Sequence, residues 1–308
     1  MDTGDLPAAT MVVTGGNTGI GLETAVGLAG RGVRVVITAR DPERGASAVA
    51  AIRQRTGSDR VDVLPLDLAS FDSIRSFATM LLDRYDRLDV LINNAGLAPD
   101  GRRWETAEGF EAAFGVNHLG HALLTHLLLD RLGECAPSRV VVVSSGAYRM
   151  AGDGICFHDL QHEGEFHSLG VYAESKLANI YYTLELAERL EGSGVTVNAL
   201  NPGHVASRLG QTRPEDLARA TVRPQVPHRI DEVLGPLPEP VDPAVGARTS
   251  VFLATSPEVE GVNGSFFSRC RAEPLTRLAG DREASRRLWD ESERLIAGHP
   301  GRGNGRPD

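Results

Sequence analysis

Short apolar runs alternate with longer amphipathic stretches along this chain, and that alternation restricts its fold more than any other feature. Residues 11–14, 33–38, 61–65, 90–93, 140–143 and 196–200 read as strands. Helical patterns separate them, at 42–55, 71–85, 107–132 and 172–190, with a first helix running to residue 28 after a glycine-rich turn. Strands that are apolar on both faces and joined by helical crossovers form a parallel sheet covered on both sides. The expectation is a doubly wound α/β sheet of about seven strands. Residues 244–254 and 284–296 add two helices, and 265–267 a last strand.

Two segments break the rhythm. Residues 146–170 are rich in Gly, His and acids, and 206–243 hold Pro214, Pro224, Pro227, Pro236, Pro238, Pro240 and Pro243. Such a density of Pro opposes regular structure and reads as a functional insertion, here a substrate lid. The expected division is one catalytic domain over 1–297 and a disordered tail over 298–308.

At 308 residues and 41% apolar, the chain can bury a large core without staples. A net charge of -9 argues against nucleic-acid or anionic-membrane binding, which calls for a basic surface. Cys135, Cys156 and Cys270 lack metal-ligand spacing and read as free thiols of a reducing compartment. Residues 1–9 lack the basic start and apolar run of a signal peptide, and no apolar stretch reaches membrane-spanning length. A cytoplasmic location is expected.

Thr14-Gly15-Gly16-Asn17-Thr18-Gly19-Ile20-Gly21 lies between the first strand and the first helix. Glycines there let backbone approach a pyrophosphate, and the helix N-terminus supplies N–H donors. Gly15, Asn17, Thr18, Gly19, Ile20 and Gly21 are therefore candidate cofactor residues, in a Rossmann-type fold. The second strand ends Thr38-Ala39-Arg40-Asp41. Ala39 stands where an acid would bond the ribose of NAD, and Arg40 suits a 2′-phosphate, so NADP is favoured over NAD. Asp41 fits a cap for the helix that starts at Pro42.

Tyr172 and Lys176 stand four residues apart on one helix face. A phenol holds its proton to pH ~10, but a fixed ammonium beside it favours the phenolate, so the pair suits acid–base chemistry. Alone the spacing is common on solvated helices.

With Thr14–Gly21, Asn93-Asn94-Ala95-Gly96, Ser144-Ser145, Tyr172–Lys176 and Asn201-Pro202-Gly203 in this order, the chain resembles the short-chain dehydrogenase/reductase family. Val116-Asn117-His118-Leu119-Gly120-His121, Phe157-His158-Asp159-Leu160-Gln161, Ser175-Lys176-Leu177-Ala178-Asn179 and Arg287-Leu288-Trp289-Asp290 are similar to its retinol dehydrogenase-like branch, which neighbours the protochlorophyllide reductases. The resemblance implies Tyr172 as proton donor to the substrate oxygen and Lys176 as partner of the nicotinamide ribose. It implies Ser145, with Ser144 as rival, as hydrogen-bond donor to that oxygen, and Asn117 as holder of a water that relays protons. Asp67 and Leu68 would flank adenine, although Asp67 also fits a cap before the third helix. Asn94, Ala95 and Gly96 would line the cofactor at the carboxyl edge of the sheet. Pro202, Gly203, Val205 and Ser207 would meet the nicotinamide, Ser207 standing where many relatives have Thr.

His158 with His162, and His118 with His121, lack a third ligand at zinc spacing, so no metal is expected and they read as surface or pocket histidines. Tyr148, Met150, Phe157 and Phe166 fit either a pocket lining or pins for their loop. The lid segment mixes Leu209, Leu217, Val222 and Ile230 with Arg213, Glu215, Arg219 and Asp231, which suits a partly polar carbonyl or alcohol substrate. The implied activity is NADPH-dependent carbonyl reduction, reversibly alcohol oxidation, on a ketone or aldehyde such as a cyclic or polycyclic biosynthetic intermediate. Reduction of an activated C=C bond and a nonenzymatic NADPH sensor are the alternatives. A homodimer, a homotetramer and a monomer all stay open.

Overall fold

The computed structural model describes residues 8–164, 166–206, 220–222 (backbone only) and 239–300. Its main sheet has the order β10-β9-β7-β6-β4-β1-β2-β3. The strands are β1 (Thr10–Val13), β2 (Arg34–Ala39), β3 (Val61–Pro65), β4 (Val90–Asn93), β6 (Ser138–Val143), β7 (Val195–Asn201), β9 (Phe266–Ser268) and β10 (Arg271–Glu273). Neighbours pair in parallel except for the edge strand β10, antiparallel to β9. A separate antiparallel pair joins β5 (Arg102–Trp104) to β8 (Ala220–Val222). The doubly wound α/β reading therefore holds.

The continuous apolar runs follow from burial on both faces. Val12, Val36, Leu91, Val140 and Val142 face one core, and Met11, Val13, Val35, Ile37, Ile92, Val141 and Val143 the other. Alternate side chains of a strand point to opposite faces, so each strand feeds both layers. The first layer is closed by α3 (Phe71–Arg84), α5 (Gly120–Glu134) and α6 (Ser168–Arg189). The second is closed by α1 (Gly19–Ala29), α2 (Pro42–Thr56) and α7 (Pro243–Thr255). The last helix, α8 (Arg282–Ala297), lies on α6, where Trp289 stacks on Tyr182 with ring centroids 5.5 Å apart.

Local chemistry starts the helices where the sequence places them. Asp41 accepts from the Glu43 and Arg44 amides ahead of Pro42, Ser70 accepts from Ser73, and Asp281 from Glu283 and Ala284. The helix expected over 107–132 is instead interrupted. A turn leads into α4 (Ala112–Phe114), capped by Glu111, then a π-helical turn (Gly115–Leu119), then α5. Helix α6 begins four residues before Tyr172, capped by the His167 ring. Within the expected tail, His299 packs edge-on to Phe71 and Phe110 and its carbonyl accepts from Arg75, while residues 301–308 lie outside the described residues. The lid expected over 206–243 falls mainly outside the described residues.

The sheet order reverses between β1 and β4, which run side by side while their following strands diverge. In an open parallel sheet that reversal opens a crevice at the carboxyl ends of the strands. The candidate residues after β1, β4, β6 and β7 all lie at that edge.

Candidate active site

The turn after β1 is built for close backbone approach. Gly15 and Gly19 have positive φ, of 62° and 53°. A Cβ on Gly21 would come 2.4 Å from the Gly15 carbonyl oxygen and 2.5 Å from Asn94 Nδ2, whereas one on Gly19 would meet nothing within 4 Å. Thr18 precedes α1 without a side-chain cap, so the first amides of that helix keep their donors for another acceptor. These are the features an anionic pyrophosphate needs. Residues Asn17 and Ile20 are partly buried beside it, and Thr18 is exposed.

Thr14 ties this turn to β4. Its Oγ1 accepts from the amides of Asn94 (2.8 Å) and Ala95 (2.9 Å), and Asn94 Nδ2 donates to the Thr14 carbonyl at 2.8 Å. At the end of β2, Thr38 Oγ1 accepts from the Gly15 amide at 3.1 Å. Arg40 follows, half-exposed, its guanidinium 3.8 Å from the Asp67 carboxylate. Asp41 is committed to capping α2. Asp67 accepts from the Ala69 amide at 3.0 Å, and the cap of α3 is Ser70 rather than Asp67. Leu68 is buried beside it.

The second half of the site joins the ends of β6 and β7 to α6. Ser144 is buried and donates to the Lys176 carbonyl at 2.7 Å, so it braces the helix from the strand. Ser145 points the other way, is partly exposed, and hydrogen-bonds the Tyr172 hydroxyl. Lys176 Nζ lies 5.7 Å from the Tyr172 ring centre and donates to the Val143 carbonyl at 3.1 Å. Both Tyr172 and Lys176 are buried.

Burial sets their acidity. The Tyr172 phenol is pushed up to about 12 by desolvation, against which the Ser145 hydrogen bond works. The Lys176 ammonium is pushed down to about 8 by the same cause. The expected lowering of Tyr172 by Lys176 is not seen: burial dominates, and the Ser145 hydrogen bond is what opposes it.

Asn117 lies in the π-helical turn, a widening that often marks functional sites. Its amide reaches the Leu97 backbone from both ends, accepting from the amide at 2.8 Å and donating to the carbonyl at 2.9 Å, and also donates to Ser175 Oγ. At Gly96 a Cβ would come 3.2 Å from Asn117 Oδ1 and 3.3 Å from Lys176 Nζ, so the two side chains converge there. Asn201 Oδ1 accepts from the amides of Gly146 and Gly203, both at 3.0 Å, and so couples the loop after Ser145 to the loop after β7. Pro202 and Gly203 flank that bond. Val205 forms a parallel bridge with Val241, whose hydrogen bonds run through His204 and Ala206. The Val205 peptide groups therefore face away from Val241. Ser207 lies outside the described residues.

The histidine reading needs correction. His118 and His121 are neither at the surface nor in a pocket lining but in the core, and burial pushes them down to about 3 and about 4. They accompany the π turn, so their spacing reflects packing around Asn117. Tyr148 and Phe166 are fully buried and pin the 146–170 loop. Reasoning from sequence missed Thr38, the Val143 carbonyl and the contacts of His121. The Thr pair at the ends of adjacent strands was the only signal available for the first.

Several known proteins are similar to this chain. The family model described as short chain dehydrogenase matches residues 9–158. Retinol dehydrogenase 14 of Mus musculus is 43% identical over 307 residues, covering 96% of this chain and 88% of that protein. The crystal structure of an uncharacterized protein from Mycobacterium paratuberculosis has a TM-score of 0.71 at 32% identity, covering 96% of this chain and 97% of that one. The Pseudomonas aeruginosa RhlG/NADP active-site complex has a TM-score of 0.62 at 26% identity, covering 84% of this chain and 93% of that one.

Proposed function

Because the chain belongs to the short-chain dehydrogenase family, in its retinol dehydrogenase-like branch, we propose that this oxidoreductase is an NADPH-dependent carbonyl reductase. The observation that carries the reading is the convergence of Ser145, Tyr172, Lys176 and Asn117 at one point of the carboxyl edge. The residues present fit a dinucleotide: an uncapped helix start, a glycine at 21 whose Cβ would collide with the turn, and an Arg at the end of β2.

Bound NADPH supplies the hydride. Gly15, Gly19 and Gly21 with the first amides of α1 would hold its pyrophosphate, and Arg40 its 2′-phosphate. Asp67 and Leu68 would border adenine, Asn94, Ala95 and Gly96 the middle of the cofactor, and Pro202, Gly203 and Val205 its nicotinamide end, a role that the resemblance also implies for Ser207, outside the described residues. Ser145 donates to the carbonyl oxygen as negative charge develops there. Tyr172 gives that oxygen its proton while the carbonyl carbon gains the hydride, so a C=O bond becomes CH–OH. The raised Tyr172 pKa keeps the phenol protonated, the form that donates, at neutral pH. A proton from solvent would then reach the phenolate through Lys176 and a water held by Asn117.

A single catalytic domain over 1–297, a lid over 206–243 and a cytoplasmic location belong to the same reading. No helix among the described residues is long and apolar enough to cross a membrane. A partly polar cyclic ketone is the proposed substrate class. The relative's name carries retinol, so all-trans-retinal belongs in the panel beside cyclic ketones and linear aldehydes. The test is turnover of that panel with NADPH, paired with Tyr172→Phe, which keeps NADPH binding and loses turnover by about a thousandfold. Near-normal turnover by the variant would sink the mechanism, and a saturated ketone as product would favour C=C reduction.

A further inference from the structure

His121 stands on the first turn of α5, four residues after Asn117, and is 3% exposed. Its ring reaches two partners on different elements. Nδ1 lies 3.1 Å from the Asn117 carbonyl oxygen, and Nε2 lies 2.9 Å from Thr14 Oγ1. A carbonyl only accepts, so Nδ1 carries the proton and Nε2 presents a lone pair. The lone pair needs a donor, and the Thr14 hydroxyl is the group in reach. That hydroxyl also lies 3.3 Å from the Ile92 carbonyl, but its one proton goes to the shorter contact. Its own oxygen already receives the Asn94 and Ala95 amides.

A directed chain results. Two amides of the loop after β4 donate to Thr14, Thr14 donates to His121, and His121 donates to Asn117. Each member is buried or partly buried, and the Thr14 proton takes the shorter of its two contacts. The titratable groups that face His121 are Lys176, whose charge lowers its pKa, and His118, whose own pKa the His121 charge would lower. Burial, and then the Lys176 charge, keep the imidazole neutral, as the chain requires.

Resting on the carbonyl-reductase reading, we propose that His121 is a positioning residue of the proton-delivery site. As a neutral imidazole protonated at Nδ1, it holds the Asn117 carbonyl and the Thr14 hydroxyl together, fixing the π turn against Lys176 and against the nucleotide turn. Without it the Asn117 peptide loses its anchor, and Asn117 Oδ1 no longer meets Nζ beside Gly96.

Two substitutions separate the halves of the ring. In His121→Asn the amide nitrogen stands where Nδ1 stood and still donates to Asn117. In His121→Gln the amide stands where Nε2 stood and still accepts from Thr14, but the donor to Asn117 is gone. The midpoint of Lys176, followed by NMR of its side-chain methylene next to Nζ, falls in the Gln variant and stays in the Asn variant. Imidazole nitrogen shifts of the unsubstituted protein show Nδ1–H and no protonation from about pH 5 to 8. With NADPH and all-trans-retinal, decanal or cyclohexanone, kcat falls about tenfold in the Gln variant and stays within about threefold in the Asn variant. An Nε2–H tautomer, an imidazolium at neutral pH, or one Lys176 midpoint for all three proteins would overturn the proposal. Absence of turnover in the unsubstituted protein would instead defeat the carbonyl-reductase reading, while the nitrogen shifts and the Lys176 midpoint still decide the role of His121.

Discussion

Lys176 donates to the Val143 carbonyl 3.1 Å away, so one side chain both serves the proton site and ties α6 to the end of β6. The tie is made by a charged group in a desolvated place, and that has a cost. The ammonium falls from an ordinary 10.5 to about 8, so below that pH the folded state carries the penalty of a buried charge. Asn179 Nδ2 also donates to the same carbonyl, at 3.3 Å, so the strand end keeps a partner without the lysine. Lys176→Met is expected to abolish turnover and yet raise stability at pH 7 by about 2 kcal/mol. The gain shrinks as pH rises from about 8 to 10.5, where the unsubstituted protein sheds the charge. Urea melts of both proteins across that range measure it.

Arg40 is half-exposed and 3.8 Å from Asp67, within reach of a 2′-phosphate at the end of β2. Arg40→Ala is expected to weaken NADPH about tenfold or more while leaving NADH within about twofold. Equilibrium titration of cofactor fluorescence reads both. Equal losses for the two cofactors would remove the phosphate role.

At Gly21 an added methyl meets backbone on one side and the Asn94 amide on the other. Gly21→Ala must push the turn away from α1, with an expected loss of about 1–3 kcal/mol and a larger loss of cofactor affinity. Thermal melts with and without NADPH separate the two, because the cofactor-induced rise in Tm disappears first.

His162 holds the 146–170 loop to α6 through Glu174, 3.5 Å away. Desolvation lowers its pKa, but the Glu174 hydrogen bond and the charges of Glu174, Glu111 and Asp159 together raise it above 6.5. Its stabilising contribution is therefore fully present below pH 6.5 and lost as pH rises through the raised value. Hydrogen exchange of residues 155–164 is expected to quicken over that window in the unsubstituted protein and to lose this pH dependence in His162→Gln.

Much of this was legible from sequence, for reasons that differ by element. The parallel strands of the main sheet were visible because burial on both faces makes them apolar throughout, as at 140–143. Asp41 was readable as a cap because capping is a matter of neighbouring residues. The strands β5, β8 and β10 were not, since three residues carry no periodicity and their pairing is set by distant chain. The π turn also escaped, because Asn117 is bound by Leu97 and Ser175, which lie elsewhere in the sequence. The acidity of Tyr172 was misjudged for a related reason. Spacing along a helix reveals the nearby ammonium but not the depth of burial that outweighs it.

The bridge between Val205 and Val241 clamps together two points of the chain that lie far apart in sequence. They are stitched together by the Ala206 amide on Val241 and the Val241 amide on His204, at 3.0 and 2.8 Å. On the proposed lid reading, a graft between those anchors that keeps the Ala220–Val222 strand paired with β5 is expected to leave NADPH affinity unchanged while substrate choice changes. Equilibrium titration of the cofactor beside turnover of a substrate panel would measure both.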